Sequence, residues 1–111
     1  MTDKELLELA AKAAGYSMSP YWDNGTKFEV TEGPHGWNPL TDDGDALQLA
    51  VKLSIAVEPY SPELSTVAYI DSQLHNVSID SVSPREWYNG DPYAATRRAV
   101  VRAAAEIGKT L

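Results

Sequence analysis

The stretch "DPYAATRRAVVRAAAEIG", residues 91–108, predicts the clearest helix of the chain and indicates how the other elements can pack. Asp91 is a favourable N-terminal cap. Pro92 follows at the first helical position, where its missing N–H costs nothing. We expect the helix to run from Pro92 to about Ile107, with Gly108 as its stop.

This helix carries small side chains on one face and arginines on another. On the arginine side, Arg98 and Arg102 are one turn apart, and Arg102 can form an ion pair with Glu106. On the apolar side, the small side chains let the helix lie close to a sheet or to another helix. The residues of its close-packing ridge are Ala95, Ala99, Ala103 and Ile107, with Val100 and Ala104 beside them.

A second helix is predicted by "HGWNPLTDDGDALQL", residues 35–49, although its aspartates also suggest a metal loop. Thr41 or Asp42 can cap it, and carboxylates in the first turn, such as Asp43 and Asp45, interact favourably with the helix dipole. We therefore interpret the acidic cluster mainly as a helix start. The apolar stripe that we expect to be partly buried consists of Ala46, Leu47, Ala50, Val51 and Leu53.

The spacing of this segment does not fit a calcium-binding loop. An EF-hand loop that begins at Asp43 would have Leu47 at the fifth position and Ser54 in place of the bidentate glutamate. A magnesium site that uses Asp42, Asp43 or Asp45 stays open as an alternative, but we expect no metal.

Three further elements follow from caps and turn residues. Thr2 and Glu5 form a capping-box pattern that predicts a first helix over residues 3–14. The stretch "YWDNGTKFEV", residues 21–30, predicts a β-hairpin because its central Asn-Gly tolerates the positive φ of a type I′ turn. Trp37, in the irregular segment that follows, is expected to anchor that segment to the core.

Alternating apolar residues predict a small sheet. "SIAVEPY", residues 54–60, reads as a strand that Pro59 stops. "STVAYID", residues 65–71, and "HNVSID", residues 75–80, predict two more strands, with a turn at residues 72–74 between them. Together they would form an antiparallel meander of about three strands.

Length and composition limit the architecture to one domain. The chain has 111 residues, of which 43% are hydrophobic. A chain of this length and composition can form one hydrophobic core but is too short to form two. We predict an α+β fold over residues 1–111, a compact single-domain α-β-α sandwich. Its small, mainly antiparallel sheet packs with about three helices.

Charge and cysteine content exclude several function classes. Sixteen acidic and nine basic side chains give a formal net charge of −7, which repels phosphate backbones, so we expect no nucleic-acid partner. No stretch approaches the ~20 apolar residues of a membrane span, and the N-terminus lacks an export signal, so we expect a cytoplasmic location. With no cysteine and no phosphate-binding glycine loop, we expect no thiolate chemistry and no cofactor.

The order of the parts resembles a known family. The segments that carry the resemblance are "WNPL" at 37–40, the Asp-rich helix start at 42–45 and "AATRRA" at 94–99. They are similar to the small phage and prophage proteins grouped as the phage α-β-α sandwich domain, with NinX-type proteins as relatives, and the likeness covers nearly the whole chain. The resemblance implies an α/β sandwich encoded in a phage or prophage genome, without an established enzymatic activity.

We expect a non-enzymatic binding module whose partner is a host protein, because an acidic surface suits a basic partner by electrostatic complementarity. An alternative is sequestration of a small anionic, nucleotide-like host signal, held by Arg97, Arg98 or Arg102. The base of such a ligand would stack on Trp87 or Tyr88.

A carboxylate-dependent hydrolase built on residues 42–45 is a further, less favoured alternative, and no catalytic residue is assigned. The oligomeric state stays open. The candidate residues for binding a partner or ligand are Trp37, Asp42, Asp43, Trp87, Tyr88, Arg97, Arg98 and Arg102.

Overall fold

Three helices and two small antiparallel sheets make up the computed structural model, which describes residues 1–23, 27–32, 36–78 and 81–111. The α+β class, with a small antiparallel sheet and three helices, is confirmed. The elements are α1 (Asp3–Ala14), β1 (Ser17–Asp23), β2 (Lys27–Glu32), α2 (Asp43–Leu53), β3 (Ala56–Tyr60), a 3-10 turn (Ser61–Glu63), β4 (Ser65–Tyr69), β5 (Arg85–Trp87) and α3 (Pro92–Gly108).

Each helix begins at a side-chain cap that the sequence predicts. The Thr2 hydroxyl accepts a hydrogen bond from the N–H of Glu5 at 3.2 Å, and the Asp42 carboxylate accepts one from the N–H of Asp45 at 2.8 Å. Asp91 accepts two backbone N–H bonds at the start of α3. These bonds satisfy donors that a helix start otherwise leaves without a partner.

Helix α3 lies at the centre of the fold. It packs against α1 and α2 and also against the three strands of the larger sheet, whose order is β3-β4-β5. Small side chains let several neighbours approach one helix closely. The buried residues of α3 are Ala95, Ala99, Val100, Val101, Ala103, Ala104, Ala105, Ile107 and Gly108.

Gly108 has a different role from the predicted one. It lies inside α3, and the following cap residue, Lys109, keeps a right-handed backbone with φ −64°. A Cβ atom on Gly108 would lie 2.1 Å from the carbonyl oxygen of Leu9 in α1. The prediction of a glycine stop is therefore wrong. A glycine is needed here because the backbones of α1 and α3 approach too closely for a side chain.

Pro59 also differs from its prediction, because it lies within β3 and does not stop it. It pairs with Thr66 of β4, and β3 is an edge strand of the sheet. An edge strand accommodates proline when the side of the residue that lacks an N–H faces the free edge, where no neighbouring strand needs that donor.

The third strand of the sheet is β5, and the prediction of a strand over residues 75–80 is wrong. The described residues 75–78 form no strand, and 79 and 80 lie outside the described part. The N–H of Ala68 donates to the carbonyl of Pro84 at 3.0 Å, so the chain already runs along β4 before β5 begins. Val77 is nevertheless buried in the core. The alternating pattern of residues 75–80 indicated burial, and burial alone does not specify which strand a segment pairs with.

Antiparallel pairing of β1 and β2 confirms the two strands of the predicted hairpin, whose Asn-Gly turn lies outside the described residues. Trp37 is 2% exposed, and its ring meets that of Tyr16 edge-on with 5.4 Å between centroids. The prediction that Trp37 anchors its segment to the core is confirmed.

The buried face of α2 is rotated from the predicted stripe. Leu47 and Val51 are 67% and 72% exposed, whereas Leu49, outside the predicted stripe, is 2% exposed. The helix carries apolar residues over more than one face, and its packing against α3 and α1 decides which face is covered. The buried residues are Ala46, Leu49, Ala50 and Leu53.

Candidate protein-binding groove

An apolar groove of about 500 Å³ lies between α2 and α3, beside the edge strand β3. Its residues on α2 follow the spacing i, i+3, i+4 and i+7, which places them on one face of that helix. We name it the α2–α3 groove. Its lining residues are Asp43, Ala46, Leu47, Ala50, Val57, Pro59, Tyr88, Pro92, Tyr93, Thr96, Arg97 and Val100.

Two large apolar side chains stand exposed along this groove. Leu47 of α2 is 67% exposed and Tyr93 of α3 is 70% exposed. Between the helices, Ala46 and Ala50 are each 5% exposed, and their small side chains leave space between the two larger ones. The groove therefore combines a floor of small residues with large side chains that the rest of the chain leaves open to solvent.

An ion pair joins the two walls of the groove. Nη1 of Arg97 donates to Oδ1 of Asp43 at 2.6 Å, and Nε of Arg97 donates to the carbonyl of Leu40 at 2.8 Å. The Arg97 side chain is 18% exposed, and that of Asp43 is 72% exposed. Arg97 thus connects α3 to the start of α2 and to the segment before it, and its charge is balanced within the groove.

The other aspartates of the acidic cluster support local structure. Asp42 caps α2, and Oδ2 of Asp45 accepts a hydrogen bond from the N–H of Asn38 at 2.9 Å. Among the described residues, no group of three or more potential metal ligands comes together. The interpretation of the cluster as a helix start agrees with these contacts.

Arg98 and Arg102 lie on another face of α3, in a polar pocket of about 360 Å³ that Lys109 also lines. Arg98 pairs with Asp3 at 2.9 Å, and Arg102 forms a close ion pair with Glu86. The predicted pairing of Arg102 with Glu106 is not the one observed, because Glu106 pairs with Lys109 at 2.9 Å. An anion entering this pocket would compete with those carboxylates.

The aromatic candidate residues also lie in different places. Trp87 is 58% exposed and lines a second pocket of about 680 Å³, with the guanidinium of Arg85 5.7 Å from its ring centre. Tyr88 lines both this pocket and the α2–α3 groove. Trp37 is buried in the core.

The structure therefore brings Asp43, Tyr88 and Arg97 together in the groove and places the remaining candidates elsewhere. Sequence reasoning missed Leu47 and Tyr93 as exposed groove residues. For Leu47 the available signal was the excess of apolar positions on α2, since one buried face of a helix does not need so many.

No helix in the described ranges is both long and apolar enough to cross a membrane. Comparison of the chain with protein-family models, with curated proteins and with solved structures gave no match.

Proposed function

We propose that this chain is a non-enzymatic protein-binding module and that its α2–α3 groove receives an apolar segment of a partner protein. The observation that carries the proposal is the exposure of Leu47 and Tyr93, at 67% and 70%, on either side of a floor of small residues. A contiguous exposed apolar surface with a polar rim is typical of a protein interaction site. Large side chains beside a concavity can contact a partner and supply most of the binding energy.

The polar groups of the groove favour binding over catalysis. Asp43 and Arg97 are paired with each other, and the hydroxyl of Thr96 donates to the carbonyl of Pro92 at 2.7 Å. A catalytic site usually holds polar groups that are poised towards a reacting atom. Here the Asp43–Arg97 pair joins the two walls of the groove, and the Thr96 bond lies within α3.

The origin and the partner's identity are part of the same proposal. The resemblance to phage and prophage α-β-α sandwich proteins stays a prediction, and with it the proposal that the partner is a host protein. Sequestration of a small anionic signal also stays a prediction, and the ion pairs of Arg98 and Arg102 give it no additional support.

The proposal is tested by recovering a partner from bacterial lysate on matched variants. Leu47→Gln combined with Tyr93→Gln removes two exposed apolar side chains from the groove. The control, Val51→Gln combined with Leu74→Gln, removes two side chains that are 72% and 60% exposed and lie outside the groove. We expect the control to retain the partner and the groove variant to lose it. Equal retention by both variants would refute the proposal.

A further inference from the structure

We infer that the occupant of the α2–α3 groove is an amphipathic helix of the partner protein that carries basic side chains beside its apolar face. This inference rests on the proposed function, and it specifies the conformation and the charge of the bound segment.

The dimensions of the groove suit a short helix. Its α2 wall runs from Asp43 to Ala50 and its α3 wall from Pro92 to Val100. At a rise of 1.5 Å per residue, these walls are about 11 Å and about 12 Å long, which is two turns of a helix. Apolar side chains at i, i+3 or i+4, and i+7 of a bound helix span that length. Ala46 and Ala50 let its backbone approach closely.

The edge strand beside the groove disfavours an added strand as the occupant. The N–H groups of Ala68 and Ile70 donate towards the β5 side of β4, so Thr66, at the same alternation, also faces that side. Its partner Pro59 therefore directs its backbone carbonyl to the free edge of β3, and it has no N–H to donate there. A partner strand at this edge would therefore meet a position with no donor. Strand addition depends on those main-chain hydrogen bonds, whereas a helix satisfies its own.

A small molecule is also a poorer fit than a helix. The volume of the groove, about 500 Å³, lies within the range of ligand pockets. Such pockets usually orient their ligand with a few convergent polar groups. In this groove the carboxylate of Asp43, the guanidinium of Arg97 and the hydroxyl of Thr96 already bond within the chain.

The charge around the groove favours a basic partner and disfavours a second copy of the chain. Exposed Asp42 and Asp91 directly precede the groove residues at the starts of α2 and α3. Arg97, which lines the groove, is balanced by Asp43. The net charge of −7 attracts a basic segment and repels another copy of the same protein.

The inference is tested by titrating the full 111-residue protein with fluorescein-labelled peptides. One peptide contains Leu and Lys in an amphipathic helical pattern and is about 15 residues long, the length at which an isolated helix begins to form in water. A second has Glu in place of Lys, and a third has the Leu/Lys composition with the pattern scrambled. We expect the patterned Leu/Lys peptide to bind at least about tenfold more tightly than the other two.

The matched variants identify the groove as the place of binding. We expect Leu47→Gln with Tyr93→Gln to weaken the patterned Leu/Lys peptide by about tenfold or more, and Val51→Gln with Leu74→Gln to leave it unchanged within about threefold. Equal binding of the scrambled peptide, equal binding of the Leu/Glu peptide or equal loss in both variants would overturn the inference.

Two further outcomes would also overturn it. One is a dimer in sedimentation experiments that the groove variant dissociates, and the other is failure of the patterned peptide to bind. If that peptide fails while the lysate partner still depends on Leu47 and Tyr93, only the helical, basic occupant is refuted. If recovery of the lysate partner does not depend on Leu47 and Tyr93 either, the proposed function is refuted as well.

Discussion

The two interfaces that α3 forms with other helices differ in how far they close. Against α1 the backbones come so near that a Cβ on Gly108 would lie 2.1 Å from the carbonyl oxygen of Leu9. Against α2 the walls stay apart around a groove of about 500 Å³, with Leu47 and Tyr93 exposed beside it. Both interfaces use small residues of α3 or its partner. Small residues at a contact are therefore not sufficient to bring two helices into close backbone contact.

The closed interface should be the most sensitive to added volume. Gly108→Ala places a methyl group against the main chain of α1, which cannot move aside as a flexible side chain can. We expect a loss of about 3 kcal/mol in the free energy of unfolding, measured by urea denaturation.

Gly44→Ala is the matched control for that substitution. Gly44 lies in the first turn of α2, and its added Cβ would meet only the Asp42 carboxylate, at 3.2 Å. Its effect should stay within about 1 kcal/mol. Similar losses for both substitutions would show that the α1–α3 contact is not as tight as described.

The ion pair across the open interface should have the next largest effect. Arg97→Met removes the hydrogen bonds to Leu40 and Asp43 while it keeps most of the apolar stem. We expect a loss of about 2 kcal/mol, since hydrogen bonds of charged groups contribute more than neutral ones. Asp43→Asn should cost less than about 1 kcal/mol, because that carboxylate is exposed and Arg97 keeps its bond to Leu40. Equal losses for Arg97→Met and Asp43→Asn in urea denaturation would contradict the greater role of Arg97.

The cap of the groove's α2 wall comes third. Asp42→Ala should lower the free energy of unfolding by about 1 kcal/mol, because the N–H of Asp45 loses its acceptor. Thermal denaturation followed by circular dichroism measures the change, and Asp91→Ala at the cap of α3 provides the comparison. A loss of metal binding or of turnover in Asp42→Ala would instead indicate chemistry at the acidic cluster.

The smallest effect on stability is expected in the groove itself. Leu47→Gln with Tyr93→Gln should change the free energy of unfolding by no more than about 0.5 kcal/mol, because both side chains are mostly exposed. Urea denaturation measures it, with Val51→Gln and Leu74→Gln as the control. A loss well beyond that of the control would mean that the two side chains support the fold.

Local chemistry made much of the fold predictable. The caps at Thr2, Asp42 and Asp91 and the span of α1 depend on neighbours three or four residues away, and the structure confirms them. The anchoring role of Trp37 is also confirmed, since a large aromatic side chain in a Gly- and Pro-rich segment has few other places to pack.

Features that depend on distant neighbours were not predictable from the sequence. Residues 75–80 alternate as a strand does, but the partner that completes the sheet is the segment at 85–87. The face of α2 that packs inward is chosen by α1 and α3, so Leu47 is exposed and Leu49 is buried. The groove arises from those same choices, which explains why only Asp43, Tyr88 and Arg97 of the candidate residues line it.

Site-specific photocrosslinking tests the central claim, binding of a partner protein in the α2–α3 groove, most directly. A benzophenone amino acid is placed at position 47 in the groove or at position 74, where Leu74 is similarly exposed outside it. After irradiation in bacterial lysate, we predict one discrete protein adduct from position 47 and none from position 74. The position 47 adduct should decrease when the patterned Leu/Lys peptide competes. The same adducts from both positions, or none from position 47, would contradict the assignment of the groove as the binding site.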